Sequence, residues 1–416
     1  MRAIPRINIQ FTNGELFGFL FSLLGRARPE SAAETIRLFE ERFAAVVGHS
    51  RGVTFSKARV GFYLLLKNMG LKPGGEVVIT ALHVADFVNV IRCAGFKPVV
   101  VDLSPDTYSI DCEDLKRKIG PQTSLIYLTH YAGFPADMDR VLEIAREAGN
   151  IPIIEDCSQA VTTTYKGHPV GSFGSAAIYS LSLIKPVCTL FGGIVLSKDQ
   201  ALLSALRREQ EKLAPAPSVP LAAEAVKNLI LKMASNRSLF GAFVLPLLRM
   251  FAAHFDWLSK YQRSNKTVTL RERLPESYFT RFTWQQAALG LSQLASLKER
   301  EEARTRSASY IYEKLSSNGK FKRPRTLAGA RNTFWLFPLF VEKPLPAKIS
   351  LASSGVDSAG YLLSALHQEE AFKNYGFTAP GATRMKQHTL FVPVHGYLKQ
   401  QELDAIVSSI QKLMKS

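Results

Sequence analysis

IIEDCSQAVTTTYKGHPVGSFGSAAIYSLSLIKPVCTLFGGIVLS, residues 153–197, decides the reading of this chain. It holds the end of one apolar run, IPIIED (151–156), and two more, AAIYSL (176–181) and GIVLS (193–197). Runs of this length, rich in apolar residues, suit strands buried on both faces. Two chemically capable side chains follow such runs. Asp156 closes the first, where ligands approach an α/β sheet. An acid there serves a metal, a ribose or a protonated heterocycle; a plain turn residue or helix cap is the structural alternative. Lys185 follows the second run, among Leu183, Ile184, Pro186 and Val187. Such flanks withdraw the amine from water, which lowers its pKa and makes it a better nucleophile toward a carbonyl. A lone lysine in an apolar run is more often a snorkelling surface residue. An acid after one strand and a lysine after the next make a stronger pair. Pyridoxal phosphate requires both: a lysine for its Schiff base and a carboxylate at its pyridinium nitrogen.

Outward from this stretch the same rhythm continues. EVVIT (76–80), PVVVD (98–102) and SLIYL (124–128) read as strands, and ARVGFYLLLKNMG (58–70) and DMDRVLEIAREAG (137–149) as helices. The expected fold is α/β: a mainly parallel central sheet flanked by helices, plus a smaller α+β C-terminal domain. The expected divisions are an N-terminal arm and helix (1–50), a large cofactor-binding domain (51–204), a helical insertion (205–265), a return to the large domain (266–300) and a small C-terminal domain (301–416).

The insertion breaks the pattern. A proline-rich turn, KLAPAPSVP (212–220), precedes a segment rich in Leu, Phe, Ala and Val that carries Lys227, Lys232, Arg237, Arg249 and Lys260. No uninterrupted run reaches the length of a membrane span, and Pro246 would kink one. Basic amphipathic helices with Phe and Trp suit the surface of an anionic membrane. A helical excursion packed on its own domain or on a partner subunit is the alternative. ELFGFLFSLLGRA (15–27) is apolar on most sides but too short to span, and ESAAETIRLFEERFAAVVG (30–48) has helical spacing.

Composition sets the outer limits. The 416 residues are 46% hydrophobic, ample for a large core, with 52 Lys+Arg against 35 Asp+Glu for a net charge of +17. That field attracts phosphorylated small molecules, acidic lipid or nucleic acid. No reading-helix or stacking-platform motif supports a nucleic-acid partner. Cys93, Cys112, Cys157 and Cys188 fit no zinc spacing and no disulfide framework, so no metal site is expected. Reduced thiols and an N-terminus without a secretory h-region point to the cytoplasm, with a peripheral position on the inner membrane face if the insertion binds lipid.

The chain resembles the DegT/DnrJ/StrS family of fold-type-I sugar aminotransferases. EDCSQA (155–160), YSLSLIK (179–185), HYAGFPADMD (130–139), RFTWQQAAL (281–289) and FVPVHGYL (391–398) carry the resemblance. It implies pyridoxal 5'-phosphate as cofactor, Lys185 as the Schiff-base lysine and Asp156 as the ring-nitrogen partner. It places Gln159 against the ring or its phenolic oxygen and Ser180 on the phosphate. It also puts forward His130, Arg281 and Phe191 as substrate contacts.

Departures from the family pattern concentrate on the phosphate side. SKARVGF (56–62) sets Lys57, Ala58 and Arg59 where small residues are usual, so a cationic side chain is expected on the phosphate. For Arg59 a structural ion pair is the alternative. His83, in TALHVADF (80–87), is the stacking candidate over the ring, with a satisfied strand-end histidine as the other reading. Phe279 stands where the family carries an asparagine that reaches the neighbouring subunit's phosphate. Phe191 replaces an acid in the loop after the lysine.

The resemblance further implies a homodimer with shared active sites. The implied reaction moves an amino group from an amino acid, glutamate being the expected donor, to a keto-sugar. A nucleotide-linked acceptor in cell-envelope or glycan biosynthesis is expected. A lipid-linked acceptor, another reaction of the same cofactor and a non-catalytic regulator remain as alternatives. Because Lys185 is present, the lysine-lacking dehydratase branch is disfavoured.

Overall fold

A computed structural model describes the chain except residues 1–2, 7–8, 10, 26–28, 251–267, 317–320, 362 and 416. Seven strands build the central sheet: β1 (Gly52–Phe55), β2 (Glu76–Thr80), β3 (Lys97–Val101), β4 (Thr123–Thr129), β5 (Ile153–Asp156), β6 (Ala176–Ser180) and β7 (Gly193–Leu196). Their order is β3-β2-β4-β5-β6-β7-β1. The five from β3 to β6 run parallel, while β7 is antiparallel to both β6 and β1. All residues of β4 and β5 are buried, as near-continuous apolar strands in a doubly covered sheet must be.

Strand β1 was not among the expected strands. GVTF is short, and its neighbour in space, β7, lies far along the chain. Register pairs Gly52 with Leu196 and Phe55 with Gly193, so the two strands deliver the following helix to the sheet's end. That helix, α3 (Ala58–Asn68), follows α1 (Asn13–Ser22) and α2 (Pro29–Val46). Thr12 and Glu15 cap α1 reciprocally, which satisfies two of its first amides.

The segment 205–265 opens inside a helix. Its first residues belong to α4 (Gln200–Lys212), whose Leu202, Leu203 and Leu206 are buried in the main core. Next comes α5 (Ser218–Ala234), and then a helical stretch that widens into a π turn at Phe240–Val244 just before Pro246. A wide turn there accommodates a proline, which has no amide and crowds the carbonyl four residues back. The rest of that segment, including Trp257 and Lys260, lies outside the described residues, as does the side chain of Arg249.

Helix α6 (Trp284–Leu294) packs on α2. The C-terminal part comprises α7 (Leu297–Ser316), an antiparallel pair (Phe337–Phe340 with Thr389–Val392) and α8 (Gln400–Lys415). One apolar cluster runs from Val53 and Tyr127 under the large sheet to Phe337 and Ile410, so this part shares the core of the sheet.

Candidate active site

A cavity of about 200 Å³ opens where β5 and β6 end and α3 begins. Asp156, the last residue of β5, lies level with Thr129 of β4 and Ile178 of β6. Its Oδ1 accepts the Ser158 amide at 3.0 Å, and its Oδ2 lies 3.3 Å from His83 Nε2. Burial pushes this carboxyl up, but the His83 and Ser158 contacts outweigh it and hold the pKa below the ordinary value. His83 therefore both lines the cavity and holds the carboxylate, with its ring edge-on to Phe87 at 4.5 Å.

Gln159 is fixed by the Ala132 amide, which donates to its Oε1 at 2.9 Å. With that oxygen engaged, Gln159 offers the cavity its NH₂. Ser180 ends β6; its amide donates to Ser158 Oγ at 2.9 Å, and its hydroxyl lies 3.0 Å from that of Ser182.

Lys185 sits on the loop between β6 and β7. Removal from water pushes its amine down to about 8, with Asp156 pulling the other way. The amine lies 4.0 Å from the centre of the Trp335 ring. Ile184, one residue earlier, has φ +66, a left-handed conformation costly for a β-branched side chain. The Trp335 indole N–H donates to its carbonyl at 2.9 Å. Two glutamines of α6 pin the rest of the loop. Gln286 donates to the carbonyls of Phe191 (2.5 Å) and Thr189 (3.2 Å), and Gln293 exchanges hydrogen bonds with both backbone groups of Cys188.

At the start of α3, Lys57, Ala58 and Arg59 all face the cavity, as does Phe191. Gly193 makes this close approach feasible: a Cβ there would lie 2.4 Å from Ala58 Cα. Arg59 is drawn into an ion pair with Asp86 at 2.5 Å, and Tyr278 Oη donates to the same carboxylate at 3.0 Å.

Two expected substrate contacts lie elsewhere. His130 is wholly buried; its Nε2 lies 3.0 Å from Glu155 Oε2, and its Nδ1 accepts the Ala136 amide. Successive strand residues face opposite ways, so the Glu155 beside Asp156 points to the other side. Glu155 there accepts the amides of Gly171, Phe173 and Gly174. His130, Glu155 and Cys157 bring ligand-type atoms within 4.8 Å of one another, but these hydrogen bonds already saturate Glu155. Arg281 is exposed on the loop before α6 and does not line the cavity. Sequence reasoning also missed Ser158, Trp335 and Gln293. Trp335 lies 150 residues beyond Lys185, and nothing local ties the two together.

The residues suit one group well. A buried ionised carboxylate fits a protonated ring nitrogen, and a lysine of lowered pKa fits an aldehyde. A helix N-terminus with a nearby ammonium fits a phosphate. Carboxylate and lysine after successive parallel strands, on this sheet, define a fold-type-I pyridoxal-phosphate enzyme. The model of the DegT/DnrJ/EryC1/StrS aminotransferase family matches residues 28–213 and 252–411, and the chain belongs to that family. It is accordingly a pyridoxal-phosphate-dependent aminotransferase.

The GDP-perosamine synthase of Caulobacter vibrioides is 24% identical over 422 aligned residues, covering all of both chains. The UDP-4-amino-4-deoxy-L-arabinose–oxoglutarate aminotransferase of Shewanella sediminis is 37% identical over 169 residues, 41% of this chain and 43% of that protein. A sugar aminotransferase from Micromonospora echinospora shares the fold at TM-score 0.75 and 20% identity, covering 98% of this chain and 99% of that one. DesV of S. venezuelae, solved with a ketimine intermediate, does so at TM-score 0.76 and 19% identity over the whole of both chains.

Proposed function

We propose that this enzyme transfers an amino group from glutamate to the keto group of a nucleotide-linked sugar, in the synthesis of cell-envelope or other glycans. The observation that carries the reading is the convergence of Lys185 and Asp156 on one cavity whose far wall is cationic. The names of the relatives supply the acceptor class: two act on GDP- or UDP-linked amino sugars, and oxoglutarate is what glutamate becomes on giving up its amine. Pyridoxal phosphate, when bound, supplies an electrophilic carbon for amines and a ring that takes up carbanion charge. Asp156 keeps a proton on the ring nitrogen by staying ionised. Lys185, with a pKa of about 8, has a neutral fraction near pH 7 and so accepts and returns a proton beside the reacting carbon. Trp335 lies against that amine, and the α6 glutamines hold the loop that follows it.

The test has two stages. The purified protein is mixed with glutamate, and conversion of bound cofactor to its pyridoxamine form is followed by absorbance. The product is then offered GDP- and UDP-linked 4-keto sugars. Failure of the first stage removes aminotransfer from glutamate; failure of the second alone removes the acceptor class. A Lys185→Ala variant that keeps full cellular activity supports a non-catalytic regulator instead.

The working form is proposed to be a homodimer, with Arg281 at the interface near the partner's site; sedimentation velocity at micromolar concentration tests this. A membrane-surface position is also proposed, from one specific observation. The family match leaves out 1–27 and 214–251, and these two segments pack on each other through Leu16, Phe19, Leu221 and Ala225. Their outer sides expose Phe17, Phe21 (77%), Val219 (79%), Ile230 and Phe243. Among the described residues no helix is long and apolar enough to cross a membrane. Exposed aromatic and aliphatic side chains on a chain of net charge +17 fit the interface of an anionic bilayer. Sedimentation with phosphatidylserine vesicles at low salt tests it; protein left in the supernatant sinks the idea.

A further inference from the structure

The lining of the cavity can be followed contact by contact from Asp156 to α3. Asp156 accepts the Ser158 amide, Ser158 Oγ accepts the Ser180 amide, and Ser180 pairs with Gly193. Gly193 in turn presses on Ala58, the first residue of α3. The carboxylate and the helix N-terminus thus sit on opposite sides of the two serines. A cofactor with its ring nitrogen at Asp156 presents its phosphate toward α3.

Two cationic side chains stand at that end, and they are not equivalent. Arg59 is turned toward Asp86, a carboxylate that Arg271 also approaches at 3.9 Å, and is further held by Tyr278. Lys57 has no hydrogen-bonding or ion-pair partner among the described residues. Its ammonium lies between two aromatic faces, 4.9 Å from the Phe191 ring centre and 5.5 Å from that of Tyr278. Aromatic faces orient an ammonium without cancelling its charge. The acid whose charge acts on it, Glu224 of α5, is itself paired with Lys227 at 3.0 Å. Phe279 offers an anion nothing; its ring packs against Tyr63 at 5.5 Å.

We propose that Lys57 is the phosphate anchor of the cofactor seat, supplying from within the subunit the positive charge that this end of the cavity needs. A phosphate monoester carries close to two negative charges at neutral pH. The first amides of α3 and the hydroxyls of Ser180 and Ser182 provide dipoles; of the two cations at this end, Arg59 is turned to Asp86, and Lys57 is the one without an ion-pair partner among the described residues. Phe191 then has a role beyond the loop: it braces the Lys57 stem, and it packs in turn against the cluster shared by α1 and α5.

The inference rests on the reading that the cavity takes pyridoxal phosphate, and the experiment separates the two. Cofactor is removed from the full-length enzyme, and the apoprotein is titrated with pyridoxal phosphate and, separately, with pyridoxal, which lacks the phosphate. Lys57→Met keeps the stem and removes the charge. It is expected to weaken pyridoxal phosphate about 10- to 100-fold, the usual worth of a charged hydrogen bond, and to leave pyridoxal within about twofold. Lys57→Arg is expected to restore most of the loss, and the ³¹P resonance of bound cofactor to move in Lys57→Met and return in Lys57→Arg. Unchanged affinity in Lys57→Met overturns the proposal. So does an equal loss for both compounds, which places Lys57 at the ring or in folding. A wild-type protein that binds neither compound removes the cofactor reading itself, and the proposal with it.

Discussion

The Lys185 amine lies 4.0 Å from the centre of the Trp335 ring, and the same indole donates its N–H to the carbonyl of Ile184. One side chain from the C-terminal part thus covers the reactive amine and holds the strained residue before it. Trp335→Phe keeps an aromatic face and removes the hydrogen bond. The expected result is a roughly fivefold fall in kcat, the worth of one neutral hydrogen bond, with cofactor affinity unchanged. A kcat equal to wild type shows that Ile184 holds its conformation unaided.

Lys185 titrates near 8 because burial disfavours its charged form, while Asp156 opposes the shift. Labelling of this amine in the apoprotein by an acylating reagent, read by peptide mass spectrometry, is expected to rise with pH through a midpoint near 8. Asp156→Asn removes the opposing charge, so its midpoint is expected to move lower still. A midpoint that moves up in that variant contradicts the arrangement.

His83 does most to hold the Asp156 carboxyl below its ordinary pKa against the pull of burial. A carboxyl depressed on folding adds stability above its unfolded pKa, near 4, and that stability is lost as pH falls through the folded value. His83→Phe removes the hydrogen bond and keeps a ring. Urea midpoints of the apoprotein are expected to favour wild type at pH 7, with the gap narrowing as pH falls toward and below 4. A gap that widens on acidification refutes the assignment.

Gly193 has room for no side chain, since a Cβ would lie 2.4 Å from Ala58 Cα and 2.5 Å from Ala58 N. Both are backbone atoms at the start of α3, so relief requires the helix to shift. Gly193→Ala is expected to cost about 1–3 kcal/mol of stability and to weaken cofactor binding. Thermal unfolding and cofactor titration measure the two effects. A variant as stable and as tight-binding as wild type shows that α3 shifts freely.

Much of this was legible in the amino-acid order. Strands β2 to β7 announced themselves as apolar runs, because a strand buried on both faces must be apolar along its whole length. Asp156 and Lys185 were legible for the same reason: each follows such a run, and the ends of parallel strands are where an α/β sheet meets its ligands. Strand order and side-chain partnership were not legible, because they depend on which distant elements become neighbours. Trp335 reaches Lys185 across 150 residues of chain, and Asp86, 27 residues beyond Arg59, draws that guanidinium and leaves Lys57 without an ion-pair partner among the described residues. His130 matched a motif, yet packing sealed it against Glu155 on the side of the sheet away from Asp156. The sequence by itself determined that a carboxylate and a lysine stand at successive strand ends. Only the tertiary structure decided what holds each of them, because hydrogen bonds and ion pairs form between surfaces that folding brings together.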